Sequence, residues 1–153
     1  AVVFLHASLE DLLRSVLAWK LPSTADFGHL DDVPLDGEKL RKYTLGDIAK
    51  HRGKSVEDLI DHSVAAYLER SNFNNVSEIA SALARSGVAS AALRPYGSDL
   101  ESIMKRRHLI VHRADHNPDQ GPGHFAARSL HPNTVKAWAT SVEAFGRAVL
   151  ALL

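Results

Sequence analysis

Between Lys105 and His116 the chain sets Lys105, Arg106, Arg107, His108, His112, Arg113, Asp115 and His116 around the apolar triplet Leu109-Ile110-Val111. Imidazole exchanges protons near neutral pH, and guanidinium is a fixed cation whose planar fork fits a phosphate. An arginine and a histidine converging on one phosphodiester suit metal-free RNA cleavage. The histidine moves the 2′-hydroxyl proton, and the arginine offsets the charge that builds on the phosphorane. His108 and His112 are four apart and share one helical face. Arg107 precedes His112 by five positions, about 140° around a helix at ~100° per residue. Its long side chain can still swing toward an anion held at the imidazole. The alternative for the Arg107/His112 pair is a structural contact at a helix end, where basic residues are favoured. Asp115 can orient an imidazole such as His112, or simply stay solvated.

A metal site is the competing chemistry. His108, His112 and His116 are spaced by four, and His124 and His131 follow. On a continuous helix the first and third of these lie ~12 Å apart along the axis, too far for one centre with ~2.0–2.1 Å zinc–nitrogen bonds. Pro118 also disfavours helix at Asn117, which places His116 at or past the helix end. No metal and no cofactor is expected.

The remaining composition excludes more than it selects. With no cysteine there is no disulfide framework, thiolate zinc site or thiol nucleophile. Eighteen basic residues balance eighteen acidic ones, so no global positive field draws in nucleic acid, and any such site must be local. At 153 residues, 45% hydrophobic and 24% charged, the chain has the make-up of a single globular domain over 1–153. Glu10, Asp11 and Arg14 interrupt the apolar start AVVFLHASLEDLLRSVLAWKL, which argues against a signal peptide or spanning helix. A cytoplasmic location without membrane contact is the default. Ala1 already stands inside a helical pattern, so part of the native N-terminus is expected to be missing.

Helices must position the cluster. Leu5, Leu9, Leu12, Leu13, Val16 and Leu17 mark one face of a first helix that Pro22 stops. Residues 22–37, with Asp26, Asp31, Asp32 and Asp36, form a solvated connection. Thr44 caps a short helix over 45–52, ended by Gly53. Ser55 with Asp58 opens a helix whose apolar face is Val56, Leu59, Ile60, Val64 and Leu68. Asn75 with Glu78 opens another through Ile79, Ala82 and Leu83, with Gly87 at its end. Ser98 and Glu101 form a capping box for LESIMKRRHLIVHR, whose apolar triplet predicts burial. After a polar loop over 114–131, Pro132 fits the first turn of a last helix bearing Val135, Trp138, Ala139, Val142, Phe145, Val149 and Leu152. Trp19 and Trp138 fit the core or a dimer interface. His116, His124 and Arg128 either line an RNA path or belong to a plain connection. The expected architecture is an all-α antiparallel bundle of about four to five helices.

The segment RRHLIVHRAD resembles the signature of HEPN-domain proteins, all-helical bundles whose motif is Arg, four to six residues, then His. A polar residue characteristically follows the arginine. Arg107-His108-Leu109-Ile110-Val111-His112 fits with His108 in the polar position; Arg106 to His112 also fits, with five residues between. HASLEDLLRSVL resembles the first helix of such bundles, and TLGDIAKHRGKSVEDLI through SNFNNVSEIASAL resembles the RiboL-PSP-type branch, so the likeness covers most of the chain.

That resemblance implies a homodimer whose motif helices face each other, with metal-independent endoribonuclease activity leaving a 2′,3′-cyclic phosphate. It implies Arg107 as the residue gripping the phosphate, His112 as acid/base and His108 as polar helper. Lys105, Arg106, Arg113 and His116 would contact RNA, and dimerisation would double this basic cluster in a neutral protein. It implies a toxin or phage-defence setting, with an antitoxin as possible partner. The alternative is a non-catalytic dimerisation module that binds a nucleotide, RNA or a protein partner.

Overall fold

A computed structural model describes residues 1–37, 44–113, 115 and 129–153. These contain six α-helices: α1 (Val2–Lys20), α2 (Leu45–Ala49), α3 (Val56–Glu69), α4 (Val76–Arg85), α5 (Gly97–Arg113) and α6 (Pro132–Leu150). Short 3-10 turns cover Phe27–Leu30, Leu35–Gly37 and Ser90–Leu93, and the described residues hold no strand. The expected all-α bundle is therefore the architecture.

α1 is the centre of the bundle and touches α3, α4, α5 and α6. It buries Leu9, Leu13, Val16 and Leu17, and these join Val64, Leu68, Ile79, Leu83, Leu100, Ile103, Phe145 and Val149 in one core. Each such side chain contributes roughly 1.5–3 kcal/mol by leaving water. Leu5 and Leu12 sit at the core's edge. Gly146 on α6 lets that helix approach α1 closely, since a Cβ there would lie 3.2 Å from Leu12 Cδ2. Tyr96 meets Phe145 edge-on at 5.9 Å between ring centroids, and the Ser141 hydroxyl donates to the Asp99 carboxylate, tying α6 to α5.

The expected caps hold at most helix ends. Ser55 and Asp58 form a complete capping box, and so do Thr44 and Asp47. The Asn75 side chain accepts from Glu78 N at 2.9 Å. At the end of α4, Val88 N donates to Leu83 O and Gly87 N to Ala84 O, with Gly87 at φ +77°. That pair of bonds is a Schellman closure, which needs a left-handed residue. Pro132 occupies the first turn of α6, behind His131 as cap.

Four expectations change. α5 begins at Gly97, because Leu100 N already donates to Tyr96 O. Ser98 therefore lies inside the helix, and Glu101 pairs with Lys105 at 2.7 Å instead of closing a cap. The Leu109-Ile110-Val111 triplet is not buried: Leu109 and Ile110 are half-buried and Val111 is 48% exposed. Val56, Ala139 and Leu152 also face solvent. Of the two readings for Trp19, core or dimer interface, the core is excluded: it is 62% exposed, with Lys20 Nζ 4.3 Å from its ring centroid, whereas Trp138 packs against the core. Last, Asp36 does not simply face solvent in a connection. At φ +52° its carboxylate lies near two imidazoles, His51 Nε2 at 3.1 Å and His62 Nε2 at 3.6 Å, while its N–H donates to Ser63 Oγ. Among the described residues no helix is long and apolar enough to cross a membrane.

Candidate functional site

The C-terminal half of α5 carries the motif. Burial on this helix follows Leu100, Ile103, Met104 and Arg106, which face α1 and the core. Positions 105, 108, 109 and 112 consequently turn outward, as a 3.6-residue period requires. His108 and His112 are both exposed, and their rings lie 4.7 Å apart between centroids, tilted by 47°. Lys105, His108, Leu109 and Arg113 form one wall of an open groove of about 530 Å³, whose opposite wall is Asn74 and Asn75. His112 adjoins this groove through its contact with His108.

The three arginines of the cluster part company. Arg113 stays exposed on the groove. Arg107 is half-buried, and its Nη1 points to Asn74 Oδ1 at 3.5 Å, the outer limit of a hydrogen bond. Arg106 turns inward, 8% exposed, and its Nη2 donates to Asp115 Oδ2 at 2.6 Å. It thus braces the end of α5 and does not present its guanidinium on the groove. Asp115 takes the arginine and not His112. It sits at φ +58°, a region Asp tolerates, with its N–H reaching back to Leu109 O at 2.9 Å. His116, His124 and Arg128 lie outside the described residues. Among those described, no three His, Asp or Glu side chains come together as a metal site.

The linker between α3 and α4 that supplies Asn74 is held by a polar ladder on α1. Arg14 Nη2 donates to Ser71 O at 2.8 Å, Phe73 N donates to Glu10 Oε1 at 3.4 Å, and His6 Nε2 meets Phe73 O at 3.2 Å. Glu10 lies 3.8 Å from His6 Nδ1 and 3.7 Å from Arg14. Burial pushes the His6 imidazole below its ordinary pKa; Glu10 and the Phe73 carbonyl pull the other way, while Arg107 and Arg14 add to the depression. Read as a sequence, Glu10 and Arg14 stand only as interruptions of an apolar stretch, and His6 goes unremarked. The signal was their spacing of four, which stacks them on one helical face.

The site therefore offers two exposed, adjoining imidazoles on a basic helix face, an asparagine-lined opposing wall and a half-buried arginine at the rim. Such a face can hold an anion and exchange protons with it. Compared with known proteins, the chain matches no family model, no curated protein and no solved structure.

Proposed function

We propose that this chain is a metal-independent endoribonuclease of HEPN type, acting as a homodimer in a cytoplasmic toxin or defence setting. The observation that carries the reading is the exposed His108/His112 pair, 4.7 Å between ring centroids, on a helix face shared with Lys105 and Arg113. The Arg107-to-His112 spacing and its resemblance to the HEPN motif supply the reaction class; the setting rests on that resemblance alone.

In the reaction, the 2′-oxygen attacks the adjacent phosphorus while an imidazole accepts its proton. The bond from phosphorus to the 5′-oxygen breaks, and the leaving oxygen takes a proton from a second, protonated imidazole. The products are a 2′,3′-cyclic phosphate and a 5′-hydroxyl, with no atom left over. Arginine offsets the extra negative charge on the phosphorane. His112 is the acid/base and His108 its polar neighbour.

Within one chain Arg107 lies against Asn74, about 140° around α5 from His112. A second copy of α5 facing the first brings an arginine opposite each histidine. Exposed Val111, with half-buried Leu109 and Ile110 beside it, supplies apolar surface for that meeting.

The test is cleavage of a labelled structured RNA in EDTA, wild type beside His112→Ala, with product ends mapped. Cyclic phosphate ends from the wild type alone are expected. Equal cutting by both proteins would overturn the assignment of His112.

A binding module without catalysis is the second reading. It is favoured by the commitment of Arg106 and Arg107 to Asp115 and Asn74 within the chain. It predicts RNA or nucleotide binding that survives His112→Ala, with no cleavage by either protein.

A further inference from the structure

The linker that walls the α5 groove has a second side. Ser71 and Phe73 line another groove, of about 470 Å³, bounded by the end of α3 and the exposed flank of α4. Its floor is apolar, made by the buried Leu17, Phe73 and Ala82. Its rim carries two guanidinium groups, Arg70 and Arg85.

Among the described residues, neither arginine is neutralised by a carboxylate in the bonds it makes. Arg70 Nη1 donates to Gly37 O at 2.7 Å, and Arg85 donates to the Tyr67 hydroxyl at 3.0 Å and to His29 O at 3.1 Å. Arg85 also lies 5.3 Å from the Tyr67 ring centroid, and its Nε is buried with no hydrogen-bond partner. Among the described residues the one carboxylate on the groove, Glu78, is already turned away: its oxygens accept from Asn74 N at 2.6 Å and Asn75 Nδ2 at 2.7 Å.

We infer that the Arg70/Arg85 groove is a phosphate-binding site for a nucleotide, with the phosphate at the two guanidiniums and the base over the Leu17/Phe73/Ala82 floor. The volume fits a ligand of that size, and an apolar floor with a few convergent polar groups is the usual make-up of such pockets. The nucleotide comes either free or as one link of an RNA strand. The second source rests on the proposed ribonuclease activity: Phe73 on this groove and Asn74 on the α5 groove are consecutive residues, so a strand leaving one passes over the linker into the other.

The experiment titrates the chain in EDTA with ADP, adenosine and hexauridylate, alongside Arg70→Gln and Ser81→Asp. Ser81 is exposed on the groove, and an aspartate there sets a negative charge in it without removing any contact of the fold. At least one phosphate-bearing probe binds and adenosine does not, and each variant weakens binding by about tenfold or more, as loss of a charge-assisted contact predicts. Binding of hexauridylate but not ADP assigns the site to the RNA strand, and binding of ADP without displacement by hexauridylate assigns it to a free nucleotide. No binding of either, or equal affinity in wild type and Ser81→Asp, overturns the site. An inactive ribonuclease that still binds ADP through this groove leaves the site standing, so the two readings fail separately.

Discussion

His6 and Phe73, 67 positions apart, are joined by a hydrogen bond from His6 Nε2 to the Phe73 carbonyl oxygen at 3.2 Å, with the imidazole only 2% exposed. A carbonyl oxygen can only accept, so Nε2 carries the proton. Through this contact the central helix fixes the stretch of linker that ends at Asn74, opposite the histidine pair of α5. An element buried for stability thus sets the geometry of an exposed site.

Acid is expected to loosen this joint. The folded state lowers the His6 pKa below 6.5 through burial, with Arg107 and Arg14 adding to it and Glu10 and the Phe73 carbonyl opposing. The unfolded chain then binds the proton more readily than the folded one. Stability is complete above pH 6.5 and is lost as pH falls through the lower folded value. Thermal unfolding of wild type beside His6→Gln, from pH 7.5 to 5, checks this. Gln retains a donor for Phe73 O and removes the titration, so its melting temperature should fall less over that range. Parallel curves would show that His6 does not carry the dependence.

Arg106 and Arg107 are neighbours in sequence and should behave oppositely on mutation. Arg106→Met leaves Asp115 without the buried guanidinium that holds it at 2.6 Å. Breaking such a pair from one side costs about 3 kcal/mol. Arg107→Gln, half-buried and reaching only to Asn74, should unfold with the wild type to within about 0.5 kcal/mol. Urea denaturation of the two variants measures the difference. A larger loss from Arg107→Gln would place the bracing role on the wrong arginine.

How far the sequence foretold this molecule follows from which forces act locally. The capping boxes at Ser55/Asp58, the Asn75 cap, the left-handed Gly87 and Pro132 at the head of α6 all depend on neighbours within a few positions, and all were legible. The start of α5 was not, because the preceding 3-10 turn delivers the chain to Tyr96 already poised to accept from Leu100. Nor was the inward turn of Arg106. Periodicity places an arginine on the core side, but the carboxylate of Asp115 that helps make that burial tolerable lies nine positions later. The exposure of Val111 was hidden for a different reason, since an apolar triplet looks the same whether a core or a second chain is meant to cover it. The polar ladder of His6, Glu10 and Arg14 has partners at 71 and 73, beyond the reach of any local pattern.

That exposed Val111 yields a prediction about assembly. Val111→Asp places a charge on a side chain that is 48% exposed, so the isolated fold should tolerate it, with a change in stability of about 0.5 kcal/mol or less. In a dimer built on facing α5 helices the same charge would be buried without a partner, which association cannot bear. Sedimentation should therefore show wild-type dimers and Val111→Asp monomers, with helical content unchanged by circular dichroism. Dimers of undiminished affinity in the variant would move the interface away from α5.

A site shared between two chains can also be rebuilt from two broken ones. Arg107→Gln and His112→Ala should each lower RNA cleavage in EDTA by about 10²- to 10⁴-fold, the range for loss of one acid/base group or one charge-stabilising contact. If Arg107 of one subunit serves His112 of the other, a heterodimer of the two variants holds one intact Arg/His pair across the interface. Mixing the inactive proteins, with subunit exchange confirmed by differently tagged chains, should then restore part of the activity. If instead each chain used its own Arg107 with its own His112, every subunit in the mixture would remain broken and nothing would return. The single-chain geometry, with Arg107 at Asn74 and His112 against His108, favours recovery. Heterodimers that form and stay inactive would sink the shared-site mechanism while leaving nucleotide binding at Arg70 and Arg85 untouched.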